Sequence, residues 1–140
     1  MVKIIIASHL NMAGGLKDTL EYILPEHVDI QVINAYTTNV PVEAELEEKL
    51  NAASDADQIL IFTDLSGGSV NQAATRYLAG NPNIHLVSGM NLPLVLTLAM
   101  AASAGSLDAE GVRHAIEEAR NQIVYINDVL ADAALDEEDE

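Results

Sequence analysis

A histidine, an aspartate and a glycine pair carry the chemistry open to this chain. His9 follows the run Ile4-Ile5-Ile6-Ala7-Ser8. Asp64 follows Ile59-Leu60-Ile61-Phe62-Thr63 and precedes Leu65-Ser66-Gly67-Gly68-Ser69. A neutral imidazole can attack phosphorus with one ring nitrogen only while the other holds the proton. A carboxylate that accepts that N–H fixes the tautomer and steadies the positive charge that develops. Asp64 is the candidate to do this for His9. Phosphoryl oxygens then need donors, and free amides where a helix starts near Ser69 would supply them. Gly67 and Gly68 let backbone approach closely, and the Ser66 or Ser69 hydroxyl adds a bond. Each residue also has a plainer role. Asp64 can cap a turn, Gly-Gly is a common loop former, and Ser69 with Gln72 reads as a capping box. What favours chemistry is their meeting in one place, and that depends on the fold.

The elements that would bring them together are legible as alternating units. Ile4-Ile5-Ile6, Ile30-Gln31-Val32-Ile33, Ile59-Leu60-Ile61-Phe62 and Ile84-His85-Leu86-Val87 read as strands. The first and third are apolar throughout, as in parallel strands covered on both faces. Between them run helical stripes. Leu16, Leu20, Ile23 and Leu24 end at Pro25. Val42, Leu46, Leu50 and Ala53 follow Pro41, with Glu43, Glu45, Glu47 and Glu48 facing water. Val70, Ala73, Ala74, Tyr77 and Leu78 lead to Gly80 and Pro82. A fourth helix starts near Asn91 and runs over Val95, Leu98, Ala99 and Ala102 to Gly105. Val112, Ala115, Ile116 and Ala119 give a fifth. This alternation predicts a doubly wound α/β domain with a mainly parallel sheet. With strand order 2-1-3-4, the order reverses between strands one and three, where ligands of such sheets gather. His9 and Asp64 stand at those two strand ends. Ile123-Val124-Tyr125-Ile126 fits either a continued helix or a late strand.

Composition narrows the partners. Six Lys and Arg against 22 Asp and Glu give a formal charge of −16 over 140 residues. That argues against nucleic acid and anionic membrane. The 49% hydrophobic content excludes disorder for the chain as a whole. Without cysteine there are no disulfides, thiolate metal sites or Cys nucleophiles. His27, His85 and His114 have no metal-ligand spacing, so no metal and no cofactor is expected. The longest apolar stretch, Leu92 to Ala102, falls short of the ~20 residues of a membrane span. Met1 to Ala7 lacks signal-peptide character, so a cytoplasmic protein is expected. One domain over residues 1–130 precedes an acidic tail, 131–140, expected to be disordered.

Three motifs in order resemble the IIA component of mannose-class phosphotransferase systems. Ile4 to His9 followed by Gly14-Gly15-Leu16 is similar to that family's phosphorylation segment. Phe62-Thr63-Asp64-Leu65-Ser66-Gly67-Gly68-Ser69-Val70-Asn71 resembles its second signature, and Ser88-Gly89-Met90-Asn91-Leu92-Pro93-Leu94 its third. The resemblance spans about residues 1 to 127. It implies that His9 accepts a phosphoryl group from the carrier HPr and passes it to a IIB component. It also implies that Asp64 orients the histidine and that Gly67-Gly68-Ser69 forms the phosphate loop. The membrane enters only indirectly, through a IIC/IID permease. A homodimer exchanging a late antiparallel strand is implied too, which tips Ile123 to Ile126 toward strand. Two departures stand out: Val70 where the family usually has Pro, and Leu10 where some members carry Gly directly after the histidine. Related domains also serve as phosphoryl-accepting subunits of a dihydroxyacetone kinase. A receiver-like switch domain shares the topology and an aspartate after strand three, but would need an acidic pair where Ser8-His9 stands. No G-x-x-x-x-G-K-[S/T], G-x-G-x-x-G or G-x-S-x-G motif supports a nucleotide module or a hydrolase.

Overall fold

Four parallel strands make one sheet: β1 (Val2–His9), β2 (Ile30–Ala35), β3 (Gln58–Thr63) and β4 (Ile84–Val87). The computed structural model describes residues 1–138 and places the strands in the order β2-β1-β3-β4. This is the expected α/β topology. Helices α1 (Met12–Ile23), α2 (Val42–Ala52), α3 (Ser69–Thr75), α4 (Leu92–Ser103), α5 (Ala109–Asn121) and α6 (Ile126–Glu138) complete the elements.

Strand parity divides the core. Side chains alternate across a pleated strand, so Ile4, Ile6, Leu60 and Phe62 pack with Ala13, Leu20, Val95 and Leu98 on one face. Ile5, Ala7, Ile33, Ala35, Ile59 and Ile61 pack with Leu46, Val70, Ala73 and Ala74 on the other. The first face therefore belongs to α1, α4 and α5, and the second to α2 and α3. Each fully buried Ile or Phe contributes roughly 1.5–3 kcal/mol, which fixes the register: Ile4 pairs with Ile30 and Leu60, and Ser8 pairs with Asn34.

Helix starts follow local chemistry. Asn91 caps α4 by accepting from the Leu94 amide at 3.0 Å, with Pro93 in the first turn, and Asp108 caps α5 by accepting from Gly111 at 2.7 Å. The Gly-x-Asn-x-Pro segment is thus a turn and helix start.

Several expectations need correction. The capping box at Ser69 does not form: Gly68 is the N-cap of α3, with no side-chain cap bond. The Gln72 side-chain Nε2 instead donates to Gly67 O at 2.7 Å, and the Ser69 hydroxyl is engaged elsewhere. The helix ends at Thr75, before Leu78. Ile23 is exposed, so the stripe of α1 is Ala13, Leu16 and Leu20. Glu45 does not simply face water; its Oε2 is buried without a partner.

The C-terminal segment departs furthest from expectation. Ile123–Tyr125 belong to neither helix nor strand, and Ile126 opens α6, so no late strand forms within the single chain among the described residues. The stretch expected as a disordered tail is helical to Glu138; residues 139 and 140 lie outside the described residues. Leu130, Ala131, Ala133, Ala134 and Leu135 are strong helix formers, which accounts for this. Acidic residues at the C-terminal end of α6 oppose its dipole, and all its described side chains are exposed.

Candidate functional site

The ends of β1 and β3 build the site, and parity along β1 sorts its residues. Ser8 points to the α1 face and His9 to the α3 face, continuing Ile6 and Ala7 respectively. Ser8 Oγ accepts from the Ala13 amide at 2.8 Å. Asn34, its neighbour across the sheet, accepts from the Gly14 amide at 3.0 Å. These two side chains tie down the first turn of α1.

His9 instead meets Asp64. Its Nδ1 lies 2.8 Å from Asp64 Oδ2, and its own amide donates to the same oxygen at 2.7 Å. The Leu65 amide donates to Oδ1 at 2.9 Å. Burial pushes the Asp64 carboxyl upward. The hydrogen bonds from the His9 amide, the His9 ring and the Leu65 amide outweigh that effect, and the group is held below the ordinary carboxylate range. An ionised Asp64 can only accept, so Nδ1 carries the ring proton and Nε2 presents its lone pair.

Nε2 faces Ser69, whose Oγ lies 3.3 Å away, and the Tyr36 hydroxyl lies 2.6 Å from that oxygen. The Tyr36 and His9 ring centroids are 5.5 Å apart. The imidazole is 39% exposed while Asp64 is 10% exposed. The imidazole is therefore partly open to solvent and the carboxylate behind it is sheltered.

The glycine pair shapes the opposite wall. Gly67 has φ +76°, a left-handed conformation that side chains strain to adopt. A Cβ on Gly68 would stand 3.2 Å from Leu65 Cβ and O and 3.7 Å from His9 Cε1, so glycine allows the turn to close on the imidazole. Ser66 is exposed and makes no side-chain hydrogen bond to the site. Leu10, directly after His9, has φ +53°. This is the left-handed region that favours glycine.

Tyr36 is the residue that the sequence did not mark. It follows β2 at φ +68°. The only hint lay in the parallel pairing of strands one and two, which places residues just after strand two beside His9. The other histidines lie apart: His27 is exposed, His114 pairs with Glu118 at 3.1 Å, and His85 meets Gln58 Nε2 at 3.0 Å. Among the described residues no three His, Asp or Glu side chains are grouped as a metal ion would require. Among them, too, no Lys or Arg pairs with His9, Asp64 or Ser69. Among the described residues no helix is long and apolar enough to cross a membrane.

The family model for the fructose IIA component of phosphotransferase systems, EIIA-man, matches residues 3–123. A solved Klebsiella pneumoniae protein, ascribed to a phosphoenolpyruvate-dependent sugar phosphotransferase system permease, is 32% identical. The match covers 92% of this chain and 93% of that one, with a TM-score of 0.82. The EIIA component of Streptococcus agalactiae is 25% identical over 91% of this chain and 98% of its own, with a TM-score of 0.76. The mannose/sorbose-specific IIA subunit of Enterococcus faecalis, 21% identical over 88% and 92%, shares the fold with a TM-score of 0.70. The chain belongs to the EIIA-man family and is a IIA component of a sugar phosphotransferase system.

Proposed function

We propose that His9 accepts a phosphoryl group from phospho-HPr on Nε2 and passes it to a IIB component during sugar uptake. The observation that carries this reading is the 2.8 Å contact between His9 Nδ1 and Asp64 Oδ2. It leaves Nε2 as the only nitrogen with a free lone pair. As Nε2 attacks, the N–P bond forms and the bond from phosphorus to the donor breaks, its electron pair leaving with the donor. The imidazole becomes a cation held against the Asp64 carboxylate, and transfer to IIB reverses these changes. The Ser69 hydroxyl is the nearest side-chain donor for a phosphoryl oxygen. The Gly67-Gly68-Ser69 turn forms the wall that receives it, while Ser66 makes no contact that supports a part.

A hydroxyl donor such as Ser69 suits an acidic carrier, because a hydrogen bond to phosphate needs no basic side chain. The acidic surface suits partners with basic faces, and their association should weaken with added salt. The reading carries with it the family's cytoplasmic location. It also includes a homodimer through the C-terminal segment, supported by Ile123, Tyr125, Ile126 and Leu130 standing exposed. Light scattering should return the mass of two chains; a monomer at micromolar concentration would reject the dimer.

Incubation with the general phosphotransferase enzyme, HPr and phosphoenolpyruvate should leave an acid-labile, base-stable label on this chain. His9→Ala should abolish it. A label that survives that substitution, or one that is base-labile, would sink the assignment.

A further inference from the structure

The Tyr36 hydroxyl is committed to Ser69 at 2.6 Å although its side chain stands at the surface. Counting protons gives one consistent set of directions when the Ser69–Nε2 contact is a hydrogen bond. Asp64 accepts from Nδ1, so Nε2 is an acceptor. Among the described residues the Ser69 hydroxyl is the group that approaches Nε2, at 3.3 Å, and a hydrogen bond there takes the serine's single proton. The Ser69 oxygen then has no proton left for Tyr36, so the Tyr36 O–H donates to Ser69.

We propose that Tyr36 is a positioning residue for phosphoryl transfer: its hydroxyl holds the Ser69 proton aimed at His9 Nε2, and so at the phosphoryl oxygen that arrives there. This rests on the reading of His9 as the phosphoryl acceptor. When the N–P bond forms, the Ser69 O–H turns from the nitrogen to a phosphoryl oxygen while the Tyr36 bond persists. No proton changes owner along the chain; only the phosphoryl group moves.

The backbone supports this role. Tyr36 keeps a left-handed φ of +68°, unfavourable for a bulky side chain, and such conformations persist where the surroundings over-determine them. The surroundings here are specific. The Leu10 amide donates to Ala35 O at 2.9 Å, and Thr37 Oγ1 donates to Asn34 O at 2.6 Å. These bonds hold the backbone beside Tyr36 to the strand end that carries His9, and the two ring centroids are 5.5 Å apart.

Tyr36→Phe keeps the ring and removes only the hydroxyl. With ring-labelled histidine in the unphosphorylated protein, the His9 Nε2 nitrogen resonance should move toward that of an unbonded acceptor while Nδ1 stays in place. Phosphoryl acceptance from phospho-HPr at saturating donor should slow about tenfold, the equivalent of one hydrogen bond, with the donor's KM little changed. The Ser69→Ala/Tyr36→Phe pair should be no slower than Ser69→Ala alone, because Tyr36 acts through the serine. An unmoved Nε2 resonance, a wild-type rate, or additive losses in the pair would each overturn the proposal. A wild-type protein that takes no label on His9 would overturn the reading of the site and the transfer role with it. The nitrogen spectra would then still decide the hydrogen-bond chain itself.

Discussion

Two helix starts meet the end of β1, and they are finished in opposite ways. At α1 the first amides are consumed: Ala13 by Ser8 Oγ and Gly14 by Asn34 Oδ1. At α3 no side chain caps the helix, and the hydroxyl best suited to do so is turned to His9. A single step along the strand separates the two, since Ser8 and His9 point to opposite faces. One face thus spends its polar side chains on holding the fold together. The other leaves them available to a ligand and shelters only the carboxylate behind the histidine.

If that division is right, substitutions on the α3 side should cost transfer and those on the α1 side should cost stability. The largest effect is expected from Asp64→Asn. The amide offers one acceptor oxygen where the carboxylate serves three N–H donors, so the ring loses its fixed tautomer. Transfer from phospho-HPr should slow about 100-fold, read by rapid quench, with the circular dichroism spectrum unchanged. A wild-type rate would remove Asp64 from the mechanism.

Ser8→Ala and Asn34→Ala should each cost about 1–2 kcal/mol in urea unfolding, because a helix-start amide loses its acceptor. Transfer by the folded protein should stay within about twofold of wild type. A slowed rate without a loss of stability would break the division between the two faces.

The Asp64 shift gives a pH test. Its folded carboxyl sits below the ordinary value, so its stabilisation is fully present above about pH 4 and is lost as pH falls through the depressed folded value. The unfolding free-energy gap between wild type and Asp64→Asn should therefore narrow as pH drops below about 4. A gap that is unchanged down to about pH 2 would contradict the hydrogen-bonded carboxylate. The smallest effect is expected from deleting Asp132 to Glu140, which should leave His9 labelling intact; a large loss would give the exposed end of α6 a part in transfer.

Much of this arrangement was legible before any coordinates. Unbroken isoleucine runs suit strands covered on both faces, alternation with helical stripes suits a parallel α/β sheet, and taking the order 2-1-3-4 puts His9 beside Asp64. What escaped was the choice among competing hydrogen bonds. Ser69 and Gln72 have the spacing of a capping box, but spacing does not show that an imidazole and a phenol compete for the serine. Tyr36 lies in Asn34-Ala35-Tyr36-Thr37-Thr38, which matches no motif, and only the register of β2 against β1 gives it meaning. The C-terminal segment was misread because its acidity suggested fraying, whereas its alanines and leucines suit a helix whose described side chains are exposed.

The central claim is that Asp64 reserves Nδ1 and leaves Nε2 to react. Phosphorus–nitrogen coupling in the phosphorylated, ring-labelled protein tests it directly. The account predicts phosphorus bonded to Nε2 of His9, with Nδ1 still protonated; phosphorus on Nδ1 would contradict it.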